Sequence, residues 1–265
     1  MRLLRLFGII VKYRFLAKVE YPSSYIGGII ANGLVYAVEM FMLFLVVWNF
    51  GSLGEWLPVE VIFLCAVWLM TYAIGASFTF NICINFHEMS INGTIDEALV
   101  RPMPPLIYLI ASNYNVGYVS HVTLSGAVLA FSFVQLGLMW SALHWVWFLL
   151  MIVSGSIINA CMMLLCHMPA LRTRSRSPAA VFFWQGREFT QYPISIYPKS
   201  IQFIFVSVLP FGFISFYPAQ VLLAKQDGLF AGVAMWLSPA VAVALVGITS
   251  LVWNRITRRY ESAGT

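Results

Sequence analysis

A helix needs about 20 mostly apolar residues to cross a bilayer. Six stretches of this chain meet that length: 24–49, 57–82, 114–137, 145–168, 200–224 and 230–253. Their apolar residues run on without the every-second-residue alternation of a membrane barrel, so the expected spanning form is the α-helix. Composition excludes the alternative of one large soluble core. Only 9% of residues are charged and 61% are hydrophobic, whereas a soluble domain carries about 25% charged residues to cover itself. A seventh apolar run, PAAVFFW at 178–184, is too brief to cross alone and reads as a re-entrant, interfacial or broken-helix piece.

Lysine and arginine favour the cytoplasmic side of a membrane. With the N-terminus inside, Arg2, Arg5, Lys12, Arg14, Lys18, Arg101, Arg172, Arg174, Arg176, Arg187, Lys199, Arg255, Arg258 and Arg259 all fall inside. Only Lys225 falls outside, beside Glu55, Glu60 and Asp227, so fourteen of the fifteen basic residues agree with one orientation. Both termini are then expected to be cytoplasmic. The net charge of +5 follows from this sorting and does not point to nucleic acid. Residues 1–20 are too polar to span. Leu3, Leu4, Phe7, Ile10 and Val11 share a helical face opposite Arg2, Arg5 and Lys12, the pattern of a helix lying in the interface. Arg14 and Lys18 break the stripe, so that helix is expected to bend or end there. The domain reading is an interfacial helix over 1–20 and one six-span, all-α transmembrane domain over 21–265.

One polar passage stands out in the loop at 84–112: INGTIDEALVRPMPP, Ile91 to Pro105. Gly93 allows a tight entry. Thr94 and Glu97 have the spacing of a capping box. Asp96 and Glu97 sit at the positive end of the helix dipole and Arg101 at the negative end, and Pro102 stops the helix. The pattern predicts a rigid helix of two turns at most. Its apolar residues, Ile95, Ala98 and Leu99, are too few for a core, so they pack on the membrane or a neighbouring span, or receive a soluble partner.

The segment GTIDEALVRPMPPL resembles G-x-[LI]-D-x-x-L-[LV]-R-P-[LM] in permeases of ABC-2-type exporters. REFTQYPISIYPKSIQFIFVSVLPFGFISFYPAQVLL, 187–223, resembles the same family's Tyr-Pro…Tyr-Pro…Pro-Phe…Tyr-Pro-Ala signature. The resemblance runs over most of the chain and implies six spans behind an amphipathic N-terminal helix. It also implies a coupling helix at Gly93, Thr94, Ile95, Asp96, Glu97, Leu99, Arg101 and Pro102, seated on an ATP-hydrolysing subunit. Two such ATPase subunits, carrying ATP and Mg, and a second permease half, identical or related, are the implied partners, with membrane lipid around them. The implied location is a bacterial inner membrane. The chain has no G-x-x-x-x-G-K-[ST] loop to cradle phosphates, so any ATP dependence must come from a separate subunit, and no cofactor is expected on this one.

Within the spans, Glu39 lies near the middle of the first, where a charge costs roughly 2.5–3.5 kcal/mol on insertion scales. It is read either as a wall or interface group of a transport route or as a protonated carboxyl bonded to a neighbour. His121 is placed at another depth, and His87, His144 and His167 at span ends. Pro210 should kink the fifth span midway, either as a gate of the translocation pathway or as a merely tolerated kink. Cys65, Cys83, Cys161 and Cys166 show no metal or disulfide spacing. An intramembrane lipid-modifying enzyme would need convergent acids, a nucleophile with its base, or a metal cluster, and a stand-alone carrier would need several buried ionisable groups. Both remain as alternatives, each with only Glu39 at depth to build on.

Overall fold

The computed structural model describes residues 2–20, 22–173, 175–258 and 260. Tyr21, Arg174 and Arg259 lie outside them, as do the side chains of Arg2, Leu3 and Leu4. Thirteen α-helices follow one another among the described residues: α1 Arg2–Val19, α2 Pro22–Phe50, α3 Pro58–Ile91, α4 Thr94–Leu99, α5 Pro105–Ser112, α6 Val119–Leu136, α7 Ala142–His167, α8 Ala170–Thr173, α9 Ala179–Phe189, α10 Lys199–Ser207, α11 Phe216–Leu222, α12 Ala231–Ala234 and α13 Ser238–Thr257. Proline opens α2, α3 and α5, where its missing N–H would have had no partner in any case. Among the described residues five helices are long and apolar enough to cross a membrane. The fold class is therefore all-helical and multi-pass.

The bundle is built around α3. Of its apolar window 83% is buried, against 6% for α2. α7 runs parallel to it, with Trp140 before its start near Phe63 (6.4 Å) and His167 at its end in one cleft with Cys83. α6 runs antiparallel, because Asn115 just before it donates to the Ser77 carbonyl (2.8 Å) while Phe133 near its end meets Phe63 (5.9 Å). Glycine decides how closely α3 and α7 approach. A Cβ on Gly75 would sit 2.6 Å from the Ser156 carbonyl oxygen, and one on Gly155 would sit 2.6 Å from that of Ile214. Lipid tails do not drive helices together, so packing at this range is what holds the pair.

The two ends of the bundle differ in charge. At one end Arg101 follows α4, Arg172 lies in α8 and Arg255 in the last turn of α13. Tyr260 donates to the Ser90 carbonyl there (3.4 Å), tying the end of the chain to the end of α3. At the other end the acidic residues close a clamp. Lys225 pairs with Glu60 at 2.9 Å and donates to the Glu55 carbonyl at 2.6 Å. The Trp56 indole N–H donates to Asp227 at 2.7 Å, and Glu60 also accepts the Leu57 N–H at 2.7 Å.

The largest departure from the sequence reading concerns the fifth crossing. Residues 200–224 do not form a kinked span. α10 and the stretch Pro210–Leu222 are bent by 71°, and both arms end at the clamp. Gln202 on α10 accepts the Leu229 N–H (2.9 Å), while Gln220 on α11 accepts the Asp227 N–H (2.7 Å). The pair is a re-entrant wedge with Pro210 at its inner turn, where Phe211 packs on Phe183 of α9 at 5.8 Å.

The crossing is made instead by 178–198. α9 starts beside Cys83 and His87. Further along, the Arg187 carbonyl accepts the Trp68 indole N–H (3.0 Å), Gln191 meets Cys65 (2.8 Å), and Ile196 reaches Gly54. This path runs the length of α3 in reverse. It looked too short because the apolar run stops at Trp184, before Gln185, Arg187 and Glu188, although α9 continues to Phe189. Arg187 and Lys199 consequently leave the basic end: Arg187 lies at mid-depth and Lys199 beside the clamp. The sixth crossing begins at Ser238 rather than residue 230. Its hydroxyl is anchored to the Phe213 carbonyl (2.7 Å) and to Ser154 (2.8 Å). α1 is one continuous helix, packed on the bundle through Phe7 against Phe78 (6.4 Å).

Candidate functional site

The polar passage after α3 folds as a short helix, but its cap differs from the expected one. Gly93, at φ +69°, is itself the N-cap, so Thr94 is the first helical residue and makes no side-chain cap bond. The left-handed conformation that only glycine takes freely lets the chain turn one residue early. That moves Glu97 out of reach of a capping role. Glu97 instead accepts from Arg101 across one turn and from the Tyr108 hydroxyl of α5 (3.3 Å), and the Arg101 guanidinium lies 5.4 Å from the Tyr108 ring. α4 is thus tied to α5 as well as to α3.

Its two faces are unlike. Ile95 and Ala98 are buried (1% and 0% exposed), while Leu99 and Val100 are at the surface (39% and 82%). Asp96 is half-buried in the first turn, and Pro102 is exposed just beyond the helix. The packing requirement raised by the sequence is met for Ile95 and Ala98 within the chain, and an exposed apolar pair beside Glu97 and Arg101 is left over. Arg101, hydrogen-bonded to Glu97, holds that carboxyl below the usual carboxylate range. A depressed value means the pair contributes above the unfolded value near about 4.3 and is lost as pH falls through the lower folded one. The carboxyl titration of Glu97, followed by carbon NMR, is expected to have its midpoint below that in an Arg101→Gln variant. Equal midpoints would rule the pairing out.

Glu39 lies on the exposed side of α2 and makes no hydrogen bond or ion pair among the described residues. It is not companionless. Arg187 and Glu188 are near enough to act on it electrostatically. Tyr36, one turn earlier, packs against His121 with ring centres 4.1 Å apart and the rings tilted by 53°. His121 therefore lies about one helical turn from the level of Glu39. Sequence reasoning missed Arg187 because it counted the residue as a loop charge. The signal that could have found it was the aromatic, helix-forming run that carries it, VFFWQGREF. His167 is also buried rather than solvated, with its Nδ1 2.7 Å from the Met163 carbonyl. No group of three or more metal-ligating side chains occurs among the described residues.

At the basic end a polar cleft of about 700 Å³ opens between α1, α2 and the α5–α6 turn, lined by Arg14, Lys18, Asn32, Asn81 and Asn113.

No curated protein and no solved structure matches the chain. One family does, over residues 34–264 of the 265, and its description is ABC-2 family transporter protein. That range takes in the larger part of α2, all the later spanning helices, α4 and the re-entrant wedge, so the chain belongs to the ABC-2 transporter family and is a multi-pass membrane transport subunit.

Proposed function

We propose that the chain is the permease of an ATP-driven exporter in a bacterial inner membrane. It forms the substrate route with a second permease half, identical or related, and is driven by two separate ATPase subunits that hold ATP and Mg. The observation that carries this reading is α4: a short helix fixed by Ile95 and Ala98, clamped by Glu97, Arg101 and Tyr108, and presenting Leu99 and Val100 at the basic end of the bundle. A fixed helix transmits displacement, whereas a mobile loop dissipates it. In this reading the basic end and both termini face the cytoplasm, as the lysine and arginine bias favours, and Arg14 and Lys18 meet anionic headgroups.

The fold supports one coupling route. One tight turn at Gly93 joins α4 to α3, and α3 is a single helix of 34 residues, about 51 Å at 1.5 Å per residue. ATP closes the ATPase pair, the pair pushes α4, and α3 delivers the push to Trp68 and Tyr72 at mid-depth and to the Glu60–Lys225 clamp at the far end. α2, α3 and the wedge at Pro210 then shift against the other half, and cargo moves outward between the halves.

The test is affinity purification of the tagged chain from mild detergent. A subunit carrying a phosphate loop and hydrolysing ATP is expected to accompany it. A chain that purifies alone and turns over lipid or substrate without nucleotide would reinstate the enzyme or the stand-alone carrier.

A further inference from the structure

α9 carries Arg187 against α3, where its guanidinium lies 3.5 Å from the centre of the Tyr72 ring and 4.1 Å from that of Trp68. The residue is 4% exposed, and its Nε and Nη2 have no hydrogen-bond partner among the described residues. Trp68 is ten residues into α3, and Glu39 is eleven residues from the end of the antiparallel α2. At 1.5 Å per residue each lies about 15 Å from the acidic end, the middle of a bilayer core about 30 Å thick. A cation at that depth marks a functional site by default. The guanidinium meets the faces of two aromatic rings, but its five N–H donors lie in its plane and call for acceptors.

Around it stand the phenols of Tyr36, Tyr72 and Tyr118, all within its electrostatic range or in ring contact with it, and Tyr72 and Tyr118 are linked hydroxyl to hydroxyl at 3.4 Å. His121, packed at a tilt against Tyr36 and Tyr118 (ring centres 4.1 and 4.9 Å away), stands beside them. Among the described residues no carboxylate is within 4 Å of Arg187. Glu39 acts on it from a greater distance, at the exposed rim, and Glu188 stands exposed beside it. Unpartnered guanidinium N–H donors beside phenol hydroxyls are the recognition chemistry of an anionic head. The flank of α2 that carries Glu39 also carries exposed Val35, Met42 and Val46, apolar surface along which an alkyl chain can lie.

We propose that Arg187 is the anion-recognising group of the transport route, that its ligand is an amphiphile with a phosphate or carboxylate head, and that Glu39 is the resident counter-ion the head displaces. Calling that amphiphile cargo rests on the permease reading; the binding itself does not. The experiment therefore uses the purified chain in dodecyl maltoside, with neither ATPase nor nucleotide. Its failure leaves coupling untouched, and absence of an ATPase leaves it untouched in turn.

The chain is labelled with 5-fluorotryptophan, and the Trp68 fluorine signal, identified by its loss in Trp68→Phe, is followed as single-chain amphiphiles are added. Dodecyl phosphate or dodecanoate is expected to shift it saturably, and the stronger of the two names the head. Arg187→Gln raises the half-saturation concentration at least tenfold, and Glu39→Gln lowers it several-fold by removing the competing carboxylate. Dodecyltrimethylammonium produces no saturable shift. The assignment is overturned if Arg187→Gln responds like wild type, if the cationic amphiphile shifts the signal equally, or if neither anion does. Should Arg187→Gln fail to fold, Glu39→Gln decides alone: unchanged or weakened binding overturns the proposal.

Discussion

Gly75→Leu is expected to leave almost no folded protein. A Cβ at Gly75 would meet the Ser156 carbonyl oxygen at 2.6 Å, the Ala160 amide nitrogen at 3.2 Å and the Asn159 Cβ at 3.3 Å. Two of these atoms belong to backbone, so no rotamer change relieves the contact and α3 must part from α7. Overpacking against movable side chains costs about 1–3 kcal/mol. Separation of the two most intimately packed helices costs at least the top of that range, and about 3 kcal/mol is roughly a hundredfold in the folded ratio. The loss also takes neighbours with it, because Gly155, across the same seam, already lies against Thr71 and Ile214. Size-exclusion profiles of detergent-extracted protein after graded heating measure the effect. Gly247→Leu is the control, since a Cβ there meets nothing within 4 Å and the larger side chain projects into lipid. A Gly75→Leu variant with the yield and heat resistance of that control would mean that α3 and α7 do not pack as described.

How much of this was legible in the sequence depends on whether a residue's surroundings come from its own segment. The crossings of α2, α3, α6 and α7 follow from length and apolar content, which are local. The acidic end was legible too: Glu55, Glu60, Lys225 and Asp227 were assigned together by charge sorting, and three of their side chains meet in the clamp with Trp56. The fifth crossing was not legible, because 200–224 satisfies every local test for a span and is nevertheless folded back. What folds it back is tertiary: Gln202, Gln220 and Tyr217 bonded to one short stretch, Asp227–Leu229. Depth is likewise a property of the assembled bundle. The rule that places arginines by side counts them along the chain and cannot tell a loop arginine from Arg187, which two rings of α3 hold inside. At α4 the helix itself was legible and its cap was not. Either Gly93 or Thr94 can serve as N-cap by residue type, and the turn out of α3 selects Gly93.

The two faces of α4 should respond oppositely to the same chemical insult. In the Leu99→Asp, Val100→Asp double variant two carboxylates are added on the surface, where Leu99 is 39% and Val100 82% exposed. Water solvates them there, so the heat resistance of the isolated chain should stay within the small range of ordinary surface substitutions. If the ATPase seats on this pair, the same carboxylates enter a contact whose centre is desolvated. Truncating one well-seated anchor costs about 2 kcal/mol or more, and charging two of them should cut recovery of the ATPase with the tagged chain more than tenfold. Ile95→Asp reverses the pattern. At 1% exposure its carboxylate has no water, so the helix detaches from α3 and α5 and heat resistance falls before any partner is involved. The comparison separates docking from folding because both variants place the same group on α4 or on its C-cap residue. Retention of the ATPase by the double variant would show that the exposed pair faces nothing. A double variant as heat-sensitive as Ile95→Asp would show that α4 has only one role, in the fold.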